Sequence, residues 1–298
     1  MTDLRDWIED GEVHILDGAM GTLLYERGVF LNVCYDQLSV SQPERVAAVH
    51  QDYVEAGVEL LKTCTFGANP VKLAGFDLME KTEEINRASV GLAKDVAGEA
   101  VGVLGTMGPL GVPIASHGAI SGAQARGHFG RQVQGLMEGG VDGFVLETFS
   151  DPDELHSAID AVRSETDLPI FAQITNPDGA LAADAVEKIA ALLKDWGADV
   201  IGANCSSGPS RVLDMIEQMA RVTDLPLIAQ PSAGLQRIVG DRTLDQVSPQ
   251  HLAGYAMRMV NSGARFVGGC CGTTPAHIRA IRAAVRGQSA LRREHGLG

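Results

Sequence analysis

Residues 143–174 read GFVLETFSDPDELHSAIDAVRSETDLPIFAQI. The stretch opens on an apolar run, Gly143–Glu147. Asp151-Pro152 then begins a segment with apolar residues at helical spacing. That dipeptide is a helix-start signature, because proline suits the first turn, where the backbone N–H has no partner. A second apolar run follows at Ile170–Ile174. The runs do not alternate polar and apolar, as expected of parallel strands buried on both faces.

The same strand-then-helix unit repeats outward in both directions. Further runs lie near Val13–Leu16, Val58–Lys62, Val101–Gly105, Val200–Ala203, Leu227–Ala229 and Phe266–Gly268. Between them stand helical patterns such as PERVAAVHQDYVEAG (43–57), AADAVEKIAALLKDWG (182–197), SPQHLAGYAMRMVNSG (248–263) and TPAHIRAIRAAV (274–285). Eight units with short connections predict a closed (β/α)₈ TIM barrel of the α/β class, formed by residues 1–298 as a single domain. The segment Met107–His128 is the long exception, expected to cross the barrel mouth. The tail RGQSALRREHGLG is expected to fray from about residue 287.

With 24 basic and 38 acidic residues the chain carries a net charge of −14. So acidic a surface repels phosphate backbones and anionic lipid, so no nucleic-acid or membrane partner is expected. The polar, acidic start MTDLRDWIEDGEV is not a secretory signal, and no apolar run approaches the ~20 residues of a membrane span. A cytoplasmic protein is expected. No GxxxxGK[ST] run is present. Five cysteines, an odd number, argue against a disulfide framework and favour metal binding or catalysis for any cluster.

Barrel enzymes place their chemistry at the C-terminal ends of strands. Asp17, Cys64, Glu147, Cys205, Cys270 and Cys271 all fall there. In GGCCG (268–272), neighbouring thiolates reach one metal only if the backbone leaves strand geometry, which the flanking glycines permit. Cys205, in ANCSSGP, is placed to supply a third sulfur. Three thiolates leave one zinc position open, the arrangement of a catalytic site, where an incoming thiol loses its proton. The same residues also suit two plainer readings: small buried side chains, or a vicinal disulfide between Cys270 and Cys271.

Five ordered motifs, LDGAMGT (16–22), TFGAN (65–69), ETFSD (147–151), NCSSGP (204–209) and GGCCGTTPAHI (268–278), resemble the homocysteine S-methyltransferase family. That family includes the homocysteine-binding barrel of cobalamin-dependent methionine synthase and betaine–homocysteine methyltransferase. The resemblance runs from about Val13 to Val285. It implies a Zn²⁺ bound by Cys205, Cys270 and Cys271, and methyl transfer to the thiol of L-homocysteine to give methionine. It places Asp17 and Glu147 near the substrate ammonium, backbone N–H groups of the Gly18–Thr22 turn (Gly18 and Ala19) near its carboxylate, and Asn204 in the substrate site. The implied donor is a methyl-corrinoid or folate protein, S-methylmethionine, or a betaine-like onium compound. The chain departs from the methionine-synthase pattern at Lys62, Cys64 and Ser232. This leaves open a different thiol acceptor, as well as a homocysteine-binding subunit that works only with a separate donor protein. His117 and His128 are candidates for donor contact; Cys34 and Cys64 read as packing residues.

Overall fold

The computed structural model describes residues 3–30, 32–114, 120–234, 237–239, 242–244 and 247–294. Its eight main strands are β1 (His14–Ile15), β2 (Leu60–Lys62), β3 (Gly102–Met107), β4 (Gly143–Phe149), β5 (Ile170–Ile174), β6 (Val200–Cys205), β7 (Leu227–Pro231) and β8 (Ala264–Val267). They form one sheet in the order β1-β8-β7-β6-β5-β4-β3-β2, every neighbouring pair parallel. A parallel bridge between Leu16 and Leu60 joins the two ends and closes the barrel. A short antiparallel hairpin, Arg237–Val239 with Arg242–Leu244, follows β7.

Side chains on a strand alternate faces, so inward positions recur every second residue. Leu16, Leu60, Leu104, Val145, Phe171, Val200, Ile228 and Phe266 form one buried apolar layer, with one residue from each strand or its immediate continuation. Two residues further along come Lys62, Thr106, Glu147, Gln173 and Gln230, all buried. The barrel interior is therefore hydrocarbon below and polar above. The side-chain amide of Gln173 donates to Gln230 Oε1 at 2.8 Å, satisfying one polar pair inside the second layer.

Leu4, on the short helix Leu4–Glu9, joins the apolar layer and is buried. It packs beneath the starts of β3 and β4, where a Cβ on Gly102 or Gly143 would meet its methyl groups within 3.2 Å. The acidic N-terminal segment thus supplies the plug for the barrel floor, a role that its composition did not announce.

Helices Pro43–Ala56, Pro152–Arg163, Pro209–Met219, Pro249–Asn261 and Pro275–Glu294 all begin on proline. The Asp151 and Ser248 side chains cap two of them by accepting the Asp153 and His251 N–H groups. The last helix continues to Glu294, through the segment expected to fray from about 287. The expected excursion over Met107–His128 is shorter than its composition suggested. β3 runs to Met107 and a helix begins at Gly122 behind a Ser121–Gln124 capping box, so His128 lies on that helix. His117 lies outside the described residues. No helix among the described residues is long and apolar enough to cross a membrane.

Candidate functional site

Strands β3, β4, β6 and β7 extend further at their C-terminal ends than the apolar runs indicated. Glu147 lies within β4, as its run indicated, whereas Cys205 is drawn into β6 and pairs in register with Pro231. Pairing between β4 and β5 shifts between Leu146 and Phe149, where the bulged strand turns Glu147 and Thr148 towards the mouth.

The first sulfur is held by strained backbone. Thr148, Cys205 and Ser206 have left-handed φ values of 68°, 51° and 56°. Such a conformation costs a non-glycine residue about 1 kcal/mol or more. Hydrogen bonds hold it in place. Asn204 Oδ1 accepts the Thr148 N–H at 2.8 Å, and Asn204 Nδ2 donates to Thr148 Oγ1 at 2.7 Å. The Ser206 N–H donates to Thr175 Oγ1, and the Asn176 N–H donates to Ser206 Oγ.

The other two sulfurs sit on the turn after β8. The Cys270 N–H donates to the Pro231 carbonyl at 3.0 Å, and the Ala233 N–H donates to that of Cys271 at 2.9 Å. The Ser232 hydroxyl donates to the same Cys271 oxygen at 3.0 Å. Ser232 therefore braces the cysteine turn from the end of β7. Gly272 has φ +77°, and a Cβ there would lie 1.8 Å from the Gly234 carbonyl oxygen. Only glycine fits, and the bend it allows lets adjacent cysteines face one side.

Cys205, Cys270 and Cys271 bring their sulfurs within 4.8 Å of one another. Cys205 and Cys270 are joined as a disulfide, with Cα atoms 5.4 Å apart. The alternative pairing of the adjacent Cys270 and Cys271 is not formed; Cys271 is free and exposed. Its Sγ lies 3.5 Å from that of Cys205. Metal–sulfur bonds of about 2.3 Å in a tetrahedron put sulfurs about 3.8 Å apart, so in the reduced state this donor set suits one thiophilic ion.

Beside the sulfurs opens a cavity of about 490 Å³, lined by Asp17, Gly18, Ala19, Lys62, Cys64, Glu147, Thr148, Cys205, Cys270 and Cys271, among others. That volume accommodates a small-molecule substrate. Lys62 Nζ donates to Glu147 Oε2 at 2.8 Å, and the Lys62 backbone N–H donates to Asp17 Oδ2 at 2.8 Å. Asp17 Oδ1 is buried with no hydrogen-bond partner. Burial pushes the Asp17 carboxyl up to about 7, and Glu147 adds to the rise while Lys62 opposes it. Burial on its own lowers the Lys62 ammonium, but Glu147 and Asp17 outweigh it and hold the group above the usual lysine range.

The expected substrate contacts divide. Asp17, Glu147, Gly18 and Ala19 line the cavity. A Cβ on Gly18 would lie 2.4 Å from Thr273 Oγ1 and 2.8 Å from the Tyr53 hydroxyl, so the turn can pass only as glycine. The Ala19 N–H already donates to Thr273 Oγ1 at 3.1 Å, which leaves it bonded within the protein. Asn204 is fully buried and does not line the cavity. Its amide holds Thr148 and lies 3.7 Å from Cys270 Sγ, so it braces the sulfur cluster. Lys62, read from the sequence only as a departure, is the buried cation at the centre of the group. Its position two residues beyond inward-facing Leu60 is the signal that marks it. Cys64 lines the wall, its thiol donating to the Tyr35 carbonyl at 3.5 Å, and burial holds that thiol well above the ordinary cysteine range. Cys34 packs with Ala68, Leu73, Leu78 and Ile85, away from the sulfur cluster.

A family model for homocysteine S-methyltransferase matches residues 14–285. The methionine synthase of Mycobacterium tuberculosis is 31% identical over 304 residues, covering 95% of this chain and 25% of its own length. The chain thus spans about a quarter of the length of that relative. Crystal structures of the Escherichia coli homocysteine methyltransferase MmuM, in metallated and oxidized forms, each superpose with a TM-score of 0.80 at 25% identity. They cover 95% of this chain and 99% of theirs. On fold, site and match alike, the chain belongs to the homocysteine S-methyltransferase family of methyl-transferring enzymes.

Proposed function

We propose that the chain is a zinc-dependent methyltransferase that methylates the thiol of L-homocysteine to give methionine. Cys205, Cys270 and Cys271, reduced to thiolates, would hold the zinc. The observation that carries the reading is their convergence, from two distant parts of the chain, beside a cavity walled by Asp17 and Glu147. Zinc bound there would supply a Lewis acid that favours the thiolate form of an incoming thiol at neutral pH.

The protein's own groups do the rest. Asp17 Oδ1, buried and without a partner, accepts from the acceptor's ammonium. Glu147, held by Lys62, adds negative charge on the same side. Thr148, fixed by Asn204, and Ser232, on the Cys271 carbonyl, keep the sulfurs in place. The acceptor sulfur then attacks the donor's methyl carbon in line. A sulfur–carbon bond forms as the donor–methyl bond breaks, and the thiol proton has already passed to solvent. The donor is a methyl-corrinoid or folate protein, S-methylmethionine or a betaine-like onium compound. A reducing compartment, the cytoplasm, keeps the three thiols available.

The test is zinc quantification together with a matrix of donors against thiol acceptors. Wild-type protein should hold one zinc and methylate homocysteine with one donor class. Cys271→Ala should lose both metal and turnover. Full activity in a zinc-free Cys271→Ala protein would defeat the reading.

A further inference from the structure

A lysine ammonium has three N–H donors. Lys62 gives one to Glu147 Oε2, and its side chain is 8% exposed. Its other two have no protein acceptor among the described residues, and Lys62 lines the cavity beside Asp17. Asp17 Oδ1 is a buried acceptor with no donor. The cavity lining therefore brings together a buried carboxylate oxygen without a donor, a cation with donors to spare, and the sulfurs.

An α-amino acid carries an ammonium and a carboxylate on one carbon. Asp17 and Glu147 alone would attract the first and repel the second. The Ala19 N–H, a backbone candidate for the carboxylate, already serves Thr273 Oγ1. We propose that Lys62 is the specificity-determining residue of the acceptor pocket, binding the acceptor's α-carboxylate while Asp17 Oδ1 takes its α-ammonium. The site then selects zwitterionic amino-acid thiols over thiols carrying either charge alone. The assignment rests on the acceptor reading above.

Equilibrium binding to zinc-loaded protein without donor tests it, using homocysteine, 4-sulfanylbutanoate (no ammonium) and 3-aminopropane-1-thiol (no carboxylate). A charge-assisted hydrogen bond lost in Lys62→Gln should weaken homocysteine and 4-sulfanylbutanoate by about 10- to 100-fold. The aminothiol should bind unchanged or tighter, because Glu147 loses its internal partner. Lys62→Arg should recover part of the carboxylate affinity. All three ligands are compared on the same folded sample, so partial unfolding cancels from the ratios. A uniform loss across the three, or no change in their ratios, would overturn the Lys62 assignment alone. Failure of all three to bind the zinc-loaded wild-type protein would take the acceptor reading down with it.

Discussion

Lys62 Nζ and Glu147 Oε2, carried on β2 and β4 with β3 between them, meet at 2.8 Å with side chains 8% and 10% exposed. Taking two charges out of water is expensive, and their attraction offsets that cost only while both partners remain. Removing one leaves the other buried and unpaired.

Glu147→Leu should therefore destabilise the fold by about 3 kcal/mol, the lower end for a broken buried pair, since Asp17 still faces Lys62. The double variant Lys62→Met/Glu147→Leu should recover most of that loss in urea unfolding. Additive losses in the two single variants and the double would show that the pair is not energetically coupled.

Asp17 makes stability and binding oppose each other. Its folded value of about 7 lies above the ordinary 3.8, so the folded protein binds the extra proton between those values. The associated stability is present below about pH 4 and is lost as pH rises through about 7. Asp17→Asn should raise the melting temperature at pH 8 and leave it unchanged near pH 4. The same variant should bind homocysteine more weakly. In the wild type, acceptor binding should weaken as pH falls below about 7. A melting temperature for Asp17→Asn below wild type at pH 8 contradicts the argument.

Thiol counting separates the two states of the sulfur cluster. The chain has five cysteines, and Cys205 and Cys270 lie at disulfide distance, with Cα atoms 5.4 Å apart. Mild oxidation of metal-free protein should leave about three titratable thiols after denaturation. Zinc-loaded protein should keep about five under the same treatment, because thiolates bound to metal are withheld from the oxidant. Equal loss with and without zinc would mean that the ion lies elsewhere.

His50, on the helix Pro43–Ala56, is buried with neither ring nitrogen bonded. Burial lowers it from 6.5 to about 4. The unfolded chain takes up the proton first, so stability falls as pH drops from about 6.5 to 4, by about 3 kcal/mol. His50→Leu should flatten that part of the pH–stability curve, as read by chemical denaturation at a series of pH values. An unchanged acid slope would place the loss in other groups.

The repeating strands and proline-led helices were legible because apolar runs and helix starts are local signals. Ile170–Ile174 matches its strand end to end. Strands β3, β4, β6 and β7 run past their apolar stretch, because backbone pairing continues under polar side chains, as it does from Asn204–Gln230 to Cys205–Pro231. The three cysteines were legible as a set, whereas the Cys205–Cys270 pairing was not, since it depends on a contact across 65 residues. The left-handed backbone at Thr148, Cys205 and Ser206 leaves no mark in residue type. The sequence placed Asn204 at the site through its motif, whereas the hydrogen bond of its side chain to Thr148 depends on a contact across 56 residues. Lys62 appeared as a departure from a pattern, and only its approach to Glu147 gives that departure a physical meaning.

The hydrocarbon layer beneath Lys62 and Glu147, stoppered by Leu4, means that solvent contacts these ions from the mouth alone among the described residues. Under the proposed function, an acceptor seated there would cover their hydrated side. Its arrival would dry Asp17, Lys62 and Glu147 together and deepen each attraction as the local dielectric falls. Under that reading, recognition and exclusion of water would become a single event.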